Sequence, residues 1–203
     1  MPESDTRAMA SYYERRAPEY DDWYLGLGLF RERERPGWTE ELAEVVRAMR
    51  SLDPSCTVDV GCGTGFISRH LPGDLVGLDR SQAMLEAASS RVPDRVRADG
   101  TCLPFGDDGV DRIFTGHFYG HLRRPERARF LREARRVARD LVVLDAARRE
   151  GLPAEEMQTR VLSDGSTHQV YKRFFTAPAL LHELGGGSTL HEGRWFVLVS
   201  SPR

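Results

Sequence analysis

The middle of the chain alternates between two hydrophobic periods. Short β-branched runs predict five buried strands in this region. They are Thr57–Val60, Leu75–Leu78, Val96–Ala98, Ile113–Thr115 and Leu141–Leu144. Amphipathic helical patterns lie between them, of which Ser81–Arg91 and Pro125–Arg139 are the clearest. Because parallel neighbours need a crossover connection, this order predicts an α/β fold, with a doubly wound, mostly parallel sheet and helices on both faces.

The last quarter of the chain breaks this alternation. Val161–Leu162 and Gln169–Phe174 flank an Asp164-Gly165 pair, which is typical of a β-hairpin turn. A helical pattern over Ala177–Leu184 follows. We interpret residues 155–184 as an insertion that consists of a hairpin and a helix.

Two further strands are predicted near the C-terminus. Thr189–His191 and Trp195–Ser200 are separated by a Glu192-Gly193 pair, which favours antiparallel pairing. The parallel sheet is therefore expected to end in a C-terminal antiparallel hairpin.

Residues 1–36 are unusually aromatic. They hold four of the six tyrosines of the chain, together with Trp23 and Phe30. These tyrosines are Tyr12, Tyr13, Tyr20 and Tyr24. Two interpretations stay open, a helix packed on the core and an aromatic lid over a site, and one amphipathic helix can serve as both. We divide the chain into an N-terminal aromatic helical lid, residues 1–36, and a main domain, residues 37–203.

Composition narrows the class of protein. The 203 residues carry a formal net charge of −2, which disfavours general affinity for nucleic acid or anionic membranes. Lys172 is the only lysine among 29 basic residues, so arginine clusters are weak evidence for phosphate binding. Three cysteines in no metal-binding spacing argue against a disulfide framework and against a metal site. We expect a reduced, cytoplasmic protein.

A glycine-rich loop follows the first predicted strand. The segment Val58–Gly65 reads VDVGCGTG and places glycines at alternate positions: Gly61, Gly63 and Gly65. Glycines let the backbone turn tightly and approach a ligand without a Cβ in the way. A dinucleotide fingerprint needs Gly or Ala where this chain has Phe66, so a dehydrogenase is disfavoured. The helix expected at Phe66–Leu71 would present free N–H groups to a ligand.

Acidic residues recur at the ends of the first three strands. Asp59, Asp79 and Asp99 are spaced 20 residues apart. In an open α/β sheet, ligands bind at the carboxyl ends of the strands. The loop and these carboxylates together predict one binding site for a ligand with hydroxyl and amine groups.

Four consecutive motifs resemble one known family. They are VDVGCGTG, GLDRSQAML at Gly77–Leu85, RADGTCLPF at Arg97–Phe105, and DRIFTGHFYGHL at Asp111–Leu122. The set resembles class I S-adenosylmethionine-dependent methyltransferases, in particular the type 11 small-molecule group that includes the ubiquinone and menaquinone methylases. The resemblance implies a Rossmann-like, seven-stranded sheet and S-adenosyl-L-methionine as cofactor.

The resemblance also implies cofactor contacts. The loop residues Gly61, Cys62, Gly63 and Gly65 would line the methionine part of the cofactor, and Asp59 would reach its amino-acid moiety. Asp79 would accept hydrogen bonds from both ribose hydroxyls.

Further positions are implied at the two ends of the cofactor. Arg80 would lie beside the adenine, Asp99 would meet the adenine amine, and the backbone of Gly100 or Thr101 would contact the ring. His117 would contact the methionine part and face the methyl acceptor.

Catalysis of methyl transfer does not always need a protein base. The leaving group is neutral, so proximity in a dry site supplies much of the effect, and a base is needed only for a protonated acceptor. His117 and His121, after the fourth strand, are the candidate catalytic bases. Candidate acceptor contacts are Tyr20, Tyr119, Tyr171 and Arg173.

The resulting hypothesis is transfer of a methyl group to a small-molecule acceptor by a monomer or homodimer. One alternative is a non-catalytic S-adenosylmethionine-binding or partner protein of the same fold. A nucleic-acid base methylase is disfavoured, because the fourth strand is followed by Thr115-Gly116-His117-Phe118 and not by a Pro-Pro-aromatic signature.

Overall fold

The computed structural model describes residues 11–203 and contains one seven-stranded sheet in that range. Its strands are β1 Thr57–Val60, β2 Leu75–Asp79, β3 Asp94–Arg97, β4 Val110–Gly116, β5 Ala138–Ala146, β8 Ser188–Glu192 and β9 Phe196–Pro202. Their spatial order is β3-β2-β1-β4-β5-β9-β8. Strands β1 to β5 are parallel, whereas β9 runs antiparallel to β5 and to β8. The predicted fold class is confirmed.

The helices cover both faces of this sheet. They are α1 Asp22–Leu25, α2 Trp38–Arg50, α3 Gln82–Ala87, α4 Arg124–Val137 and α5 Ala177–Leu184. Helix α5 has the predicted bounds, and α4 lies within one or two residues of the predicted Pro125–Arg139. Helix α3 ends earlier than the sequence pattern suggests, and its N-cap Ser81 accepts a hydrogen bond from the Met84 N–H.

The helix expected directly after the glycine-rich loop does not form. Only a single 3₁₀ turn, Ser68–His70, follows the loop before Pro72 and Gly73. Too few residues separate Gly65 from Pro72 for a stable helix, and Phe66 and Ile67 are used for packing in the core. The loop therefore acts through its own backbone and not through a long helix dipole.

Two apolar cores enclose the sheet. On one side Phe130 of α4 and Leu180 of α5 are completely buried against it. On the other side α2 contributes Met49, and the N-terminal aromatic Tyr24 is buried with it. Part of the aromatic N-terminal segment thus belongs to the core of the domain.

The hairpin forms a separate two-stranded sheet between β5 and α5. Its strands are β6 Glu155–Val161 and β7 Thr167–Arg173. Antiparallel pairing places Arg160 opposite His168 and Glu156 opposite Lys172. Within residues 11–203, no helix is both long and apolar enough to cross a membrane.

Candidate active site

A cavity opens at the carboxyl ends of β1, β2 and β4. Residues of the glycine-rich loop, of the β2 end, of the segment after β4 and of the N-terminal segment line it together. Among the residues predicted from sequence, those that line it are Tyr20, Gly61, Gly63, Asp79, Arg80, Gly100, His117 and His121. The sheet topology explains this convergence, because β1 lies at the centre with β2 and β4 on either side.

The glycine-rich loop needs glycine for steric reasons. Gly61 has a φ of 75°, and a Cβ at this position would lie 2.7 Å from atoms of the Phe118 side chain. Its N–H donates to the Leu78 carbonyl at 2.7 Å, which ties the loop to β2. Cys62 is buried below the loop and Gly65 packs against Val92, so these two residues shape the loop without lining the cavity.

Asp79 connects the loop to the next strand. Its Oδ2 accepts a hydrogen bond from the Gly63 N–H, and its Oδ1 accepts one from the Ser81 N–H, both at 2.9 Å. Burial raises the pKa of this carboxyl above its ordinary value, although the backbone donors oppose the change. Each oxygen keeps a lone pair for a further donor in the cavity.

Asp99 lies just outside the cavity lining. Its Oδ1 accepts bonds from the Thr101 N–H at 2.8 Å and the Thr101 hydroxyl at 2.9 Å, and its Oδ2 is 3.6 Å from the Arg80 guanidinium. The Thr101 N–H is therefore already bonded, and Gly100 is the residue of this turn that lines the cavity.

Asp59 is sealed beneath the site. It is 1% exposed, and its Oδ1 has no hydrogen-bond partner among residues 11–203. Burial raises its pKa to about 7. A buried carboxylate oxygen without a partner is costly, so this atom is suited to receive a donor from a bound ligand.

His117 has a strained backbone and a buried ring. Its φ is 60°, in the left-handed region that residues other than glycine rarely adopt. The ring packs edge-on against Trp23 at 4.8 Å, and its Nδ1 is 3.9 Å from Asp145 Oδ1. Its Nε2 is buried and unpartnered in the described part of the chain, and burial lowers its pKa.

His121 is oriented for proton acceptance. Its Nδ1 is 2.7 Å from the carbonyl oxygen of Tyr171. Because a carbonyl can only accept, Nδ1 must carry the proton, which leaves the lone pair on Nε2. Burial lowers the pKa of His121 well below its ordinary value, and the positive charges of Lys172 and Arg160 lower it further. The ring is therefore neutral near pH 7.

A buried ion pair lies behind both histidines. Lys172 Nζ donates to Asp145 Oδ1 at 2.5 Å, and the two side chains are 5% and 0% exposed. Asp145 Oδ2 also accepts the Gly120 N–H at 2.7 Å, in the turn that carries His121. The sequence analysis did not select this pair, although Lys172 is the only lysine of an arginine-rich chain.

A sequence profile for the family described as methyltransferase domain matches residues 58–143. This range contains the glycine-rich loop, all three strand-end aspartates and both histidines that the structure brings together. Residues 58–143, less than half of the chain, are therefore similar to this methyltransferase family. The predicted family resemblance is thereby confirmed.

Relatives of this methyltransferase domain act on chemically different molecules. The chain is 44% identical over 69 residues to malonyl-[acyl-carrier protein] O-methyltransferase 1 of Coxiella burnetii, covering 32% of this chain and 23% of the relative. It is 34% identical over 111 residues to demethylmenaquinone methyltransferase of Thermotoga maritima, covering 50% and 48%. The alignments thus span about a quarter and about half of these relatives.

A solved structure of DhpI in complex with SAH has the same fold. It superposes with a TM-score of 0.76 at 21% sequence identity and covers 100% of this chain and 98% of that chain. The likeness in fold therefore includes the N-terminal segment and the hairpin of this chain, not only its central motifs.

Three predicted acceptor contacts lie away from the cavity of the methyltransferase domain. Tyr119 is fully buried, and its hydroxyl donates to Glu183 at 3.0 Å. The Tyr171 hydroxyl donates to Glu155 at 2.7 Å, and Arg173 is paired with Glu155 and Glu183. Tyr171 and Arg173 therefore lie on the face of β7 that carries Glu155 and Glu183 as their partners. Lys172 lies on the other face, where it pairs with Asp145 beside His117.

The N-terminal segment contributes Tyr13 and Tyr20 to the lining of the cavity, and residues 11–36 are called the lid segment below. Glu14 accepts the N–H groups of Gln82 and Ala83 at the start of α3, at 2.7 and 3.0 Å. A Cβ on Gly63 would lie 3.5 Å from the Tyr20 ring, so this ring rests on the loop. Asp21 accepts a hydrogen bond from the Thr64 hydroxyl at 2.5 Å.

The lid segment also contacts the tip of the hairpin. Arg15 is paired with Asp164 at 2.5 Å, and Glu19 accepts the Ser163 N–H at 3.1 Å. These contacts join segments that are about 145 residues apart in the chain. Sequence periodicity carries no signal for such contacts, which is why the analysis found the aromatic residues but not these anchors.

Proposed function

We propose that this chain is an S-adenosyl-L-methionine-dependent methyltransferase that acts on a small-molecule acceptor. The observation that carries the proposal is Asp79, whose carboxylate lines the cavity while it holds the N–H groups of Gly63 and Ser81. A carboxylate fixed in this way can accept two further donors side by side, as the neighbouring hydroxyls of a ribose require. The match of residues 58–143 to the methyltransferase domain family supports the same conclusion.

The residues around the cavity suit this cofactor. The unpartnered Oδ1 of Asp59 would receive the ammonium group, and the methionine part would lie between Gly61 and Gly63 of the loop and the Tyr20 ring, which line the cavity together. Apolar side chains, Leu78 and Met84 among them, would enclose the adenine beside Arg80. The bound cofactor would supply a methyl group on a positively charged sulfur.

The residues of the chain would position the acceptor, exclude water from the site and supply a base. The lid segment would exclude water and hold the acceptor against the loop. His121 would accept the proton of a hydroxyl, phenol or amine at Nε2, while its Nδ1–H stays bonded to Tyr171. His117, whose Nε2 is buried, would shape the wall and not act as the base.

Two measurements test this proposal. Titration calorimetry with S-adenosylhomocysteine should show saturable binding, and radiolabelled S-adenosylmethionine should transfer its methyl group to at least one member of a metabolite panel. Absence of S-adenosylhomocysteine binding would contradict the proposal. Binding without transfer to any member of a broad panel would favour a non-catalytic binding protein instead.

The histidine assignment predicts a specific pH dependence. His121 can accept a proton only while its imidazole is neutral. At a pH below the pKa of His121, the ring is protonated and the base is lost. Because the pKa of His121 is lowered, kcat should fall only at a pH below about 6.5, the ordinary histidine value. His121→Asn should lower kcat about 100-fold or more on a protonated acceptor and remove this acid limb.

The matched control for this variant is His182→Asn, on α5 and outside the cavity lining. Its pH profile should coincide with that of the unmodified protein. An acid limb that persists in His121→Asn would show that another group is responsible for it.

The lid assignment predicts a change in hydrogen exchange. Residues 11–30 should exchange more slowly once S-adenosylhomocysteine is bound, because the ligand would add contacts beneath Tyr20 and stabilise the closed arrangement. Mass spectrometry of peptic peptides measures this. Full protection already present without ligand would identify the segment as permanent core, in line with the burial of Tyr24.

A further inference from the structure

The inward face of the hairpin carries an arginine that the proposed reaction has not used. Residues paired across antiparallel strands share a face, so Arg160, His168, Gln158 and Val170 lie on the same side as Lys172. Val170 is 1% exposed and packs with Tyr12 of the lid segment. This face of the hairpin therefore points towards the lid segment, whose Tyr13 and Tyr20 line the cavity.

Arg160 has no acidic partner there. Its guanidinium donates to the neutral amide oxygen of Gln158, at 2.9 Å from Nη2 and 3.3 Å from Nε. The ion pairs formed within residues 11–203 do not include it. Its positive charge nevertheless acts on the site. Together with burial and the charge of Lys172, it lowers the pKa of His121.

A second arginine next to the site is buried without a carboxylate. Arg16 is 4% exposed, and its guanidinium lies 5.5 to 5.7 Å from the ring centres of Tyr12, Tyr20 and Phe30. Its Nε has no hydrogen-bond partner in the described part of the chain. Buried arginines are normally paired, so the buried Arg16 and the half-buried Arg160 are both suited to an anion from outside the chain.

The carboxylates near the cavity do not offset these charges. Asp145 is neutralised by Lys172, and Glu14 is bonded to the start of α3. Glu126 accepts the Arg123 N–H in the first turn of α4, and Asp79 holds the glycine-rich loop. Glu156 shares this face of the hairpin, but it is exposed and accepts a hydrogen bond from the Gln158 amide at 2.8 Å. The buried part of the hairpin side therefore has an excess of positive charge, although the whole chain has a net charge of −2.

From this arrangement, and resting on the proposed methyl transfer, we propose that the acceptor carries an anionic oxygen group that Arg160 and Arg16 bind at the hairpin end of the site. The guanidinium fork matches the geometry of a carboxylate or phosphoryl group. The anion anchors the acceptor, and a separate hydroxyl or amine of the same molecule faces His121.

The test is calorimetric titration of the full chain, saturated with S-adenosylhomocysteine, with inorganic phosphate, methylphosphonate and acetate. At least one of these anions should bind saturably. Arg160→Gln should weaken that binding at least tenfold, and Arg160→Lys, which keeps the charge but loses the fork, should weaken it less. Comparison of acetate with the two phosphoryl probes distinguishes a carboxylate from a phosphoryl group.

Arg173→Gln is the matched control, because it removes the same charge from the opposite face of the hairpin. It should leave anion affinity within about twofold. Equal weakening by both variants, or no saturable binding of any probe, would overturn the inference. Each titration is repeated without S-adenosylhomocysteine, so that failure of the proposed cofactor does not hide the result for the anion.

Discussion

Asp79→Ala should abolish useful binding of S-adenosylhomocysteine while the domain stays folded. The variant loses a charge-assisted, two-pronged acceptor and also releases the N–H groups of Gly63 and Ser81. Loss of such contacts costs about 2–4 kcal/mol, which corresponds to about a 30- to 1,000-fold weaker affinity. Titration calorimetry measures the affinity, and circular dichroism confirms folding.

Asp74→Ala is the matched control for this experiment. Asp74 is exposed and precedes the same strand, at its other end. Its removal should change the affinity less than twofold. An Asp79→Ala protein that binds S-adenosylhomocysteine as well as the unmodified protein would refute the assignment of the second motif.

Lys172→Met should strongly destabilise the fold. It leaves the Asp145 carboxylate fully buried without its cation, and breaking a buried pair from one side costs about 3–5 kcal/mol. The double variant Lys172→Met/Asp145→Asn should recover at least about half of that loss, because no uncompensated charge remains. Guanidinium denaturation gives the free energy of unfolding of each protein.

Arg173→Gln is again the comparison, since it removes a partly exposed cation from the same strand. Pairs of this kind contribute about 0–1 kcal/mol. If Lys172→Met costs no more than Arg173→Gln, the buried pair has little role in holding the hairpin to the domain.

The central sheet could be predicted because its signals are local. The strands β1, β2, β4 and β5 are short runs with buried residues and a turn residue or an acid at or near their ends. The third predicted strand forms but is not buried, because β3 lies at the edge of the sheet. The helix expected at Phe66–Leu71 does not form, because this segment is too short for a stable helix. Apart from the early end of α3 and the exposure of β3, local pattern and tertiary packing agree in the rest of this region.

The acceptor side of the site could be predicted much less well. Alternation divides β7 into two faces, but it does not say which one points inward. The sequence analysis favoured Tyr171 and Arg173, whereas the buried carboxylate of Asp145 requires Lys172 to face the core. The tautomer of His121 depends on a backbone carbonyl 50 residues away, which no sequence pattern reveals.

The lid segment spans both halves of the site, and this has a kinetic consequence. Glu14 and Asp21 attach it to the cofactor elements, while Arg15 and Glu19 attach it to the hairpin. Opening of the lid segment would then be required for the release of both products. We expect the methylated product and S-adenosylhomocysteine to wait for the same opening event, so that the frequency of opening, and not the displacement at sulfur, would set the rate of steady turnover.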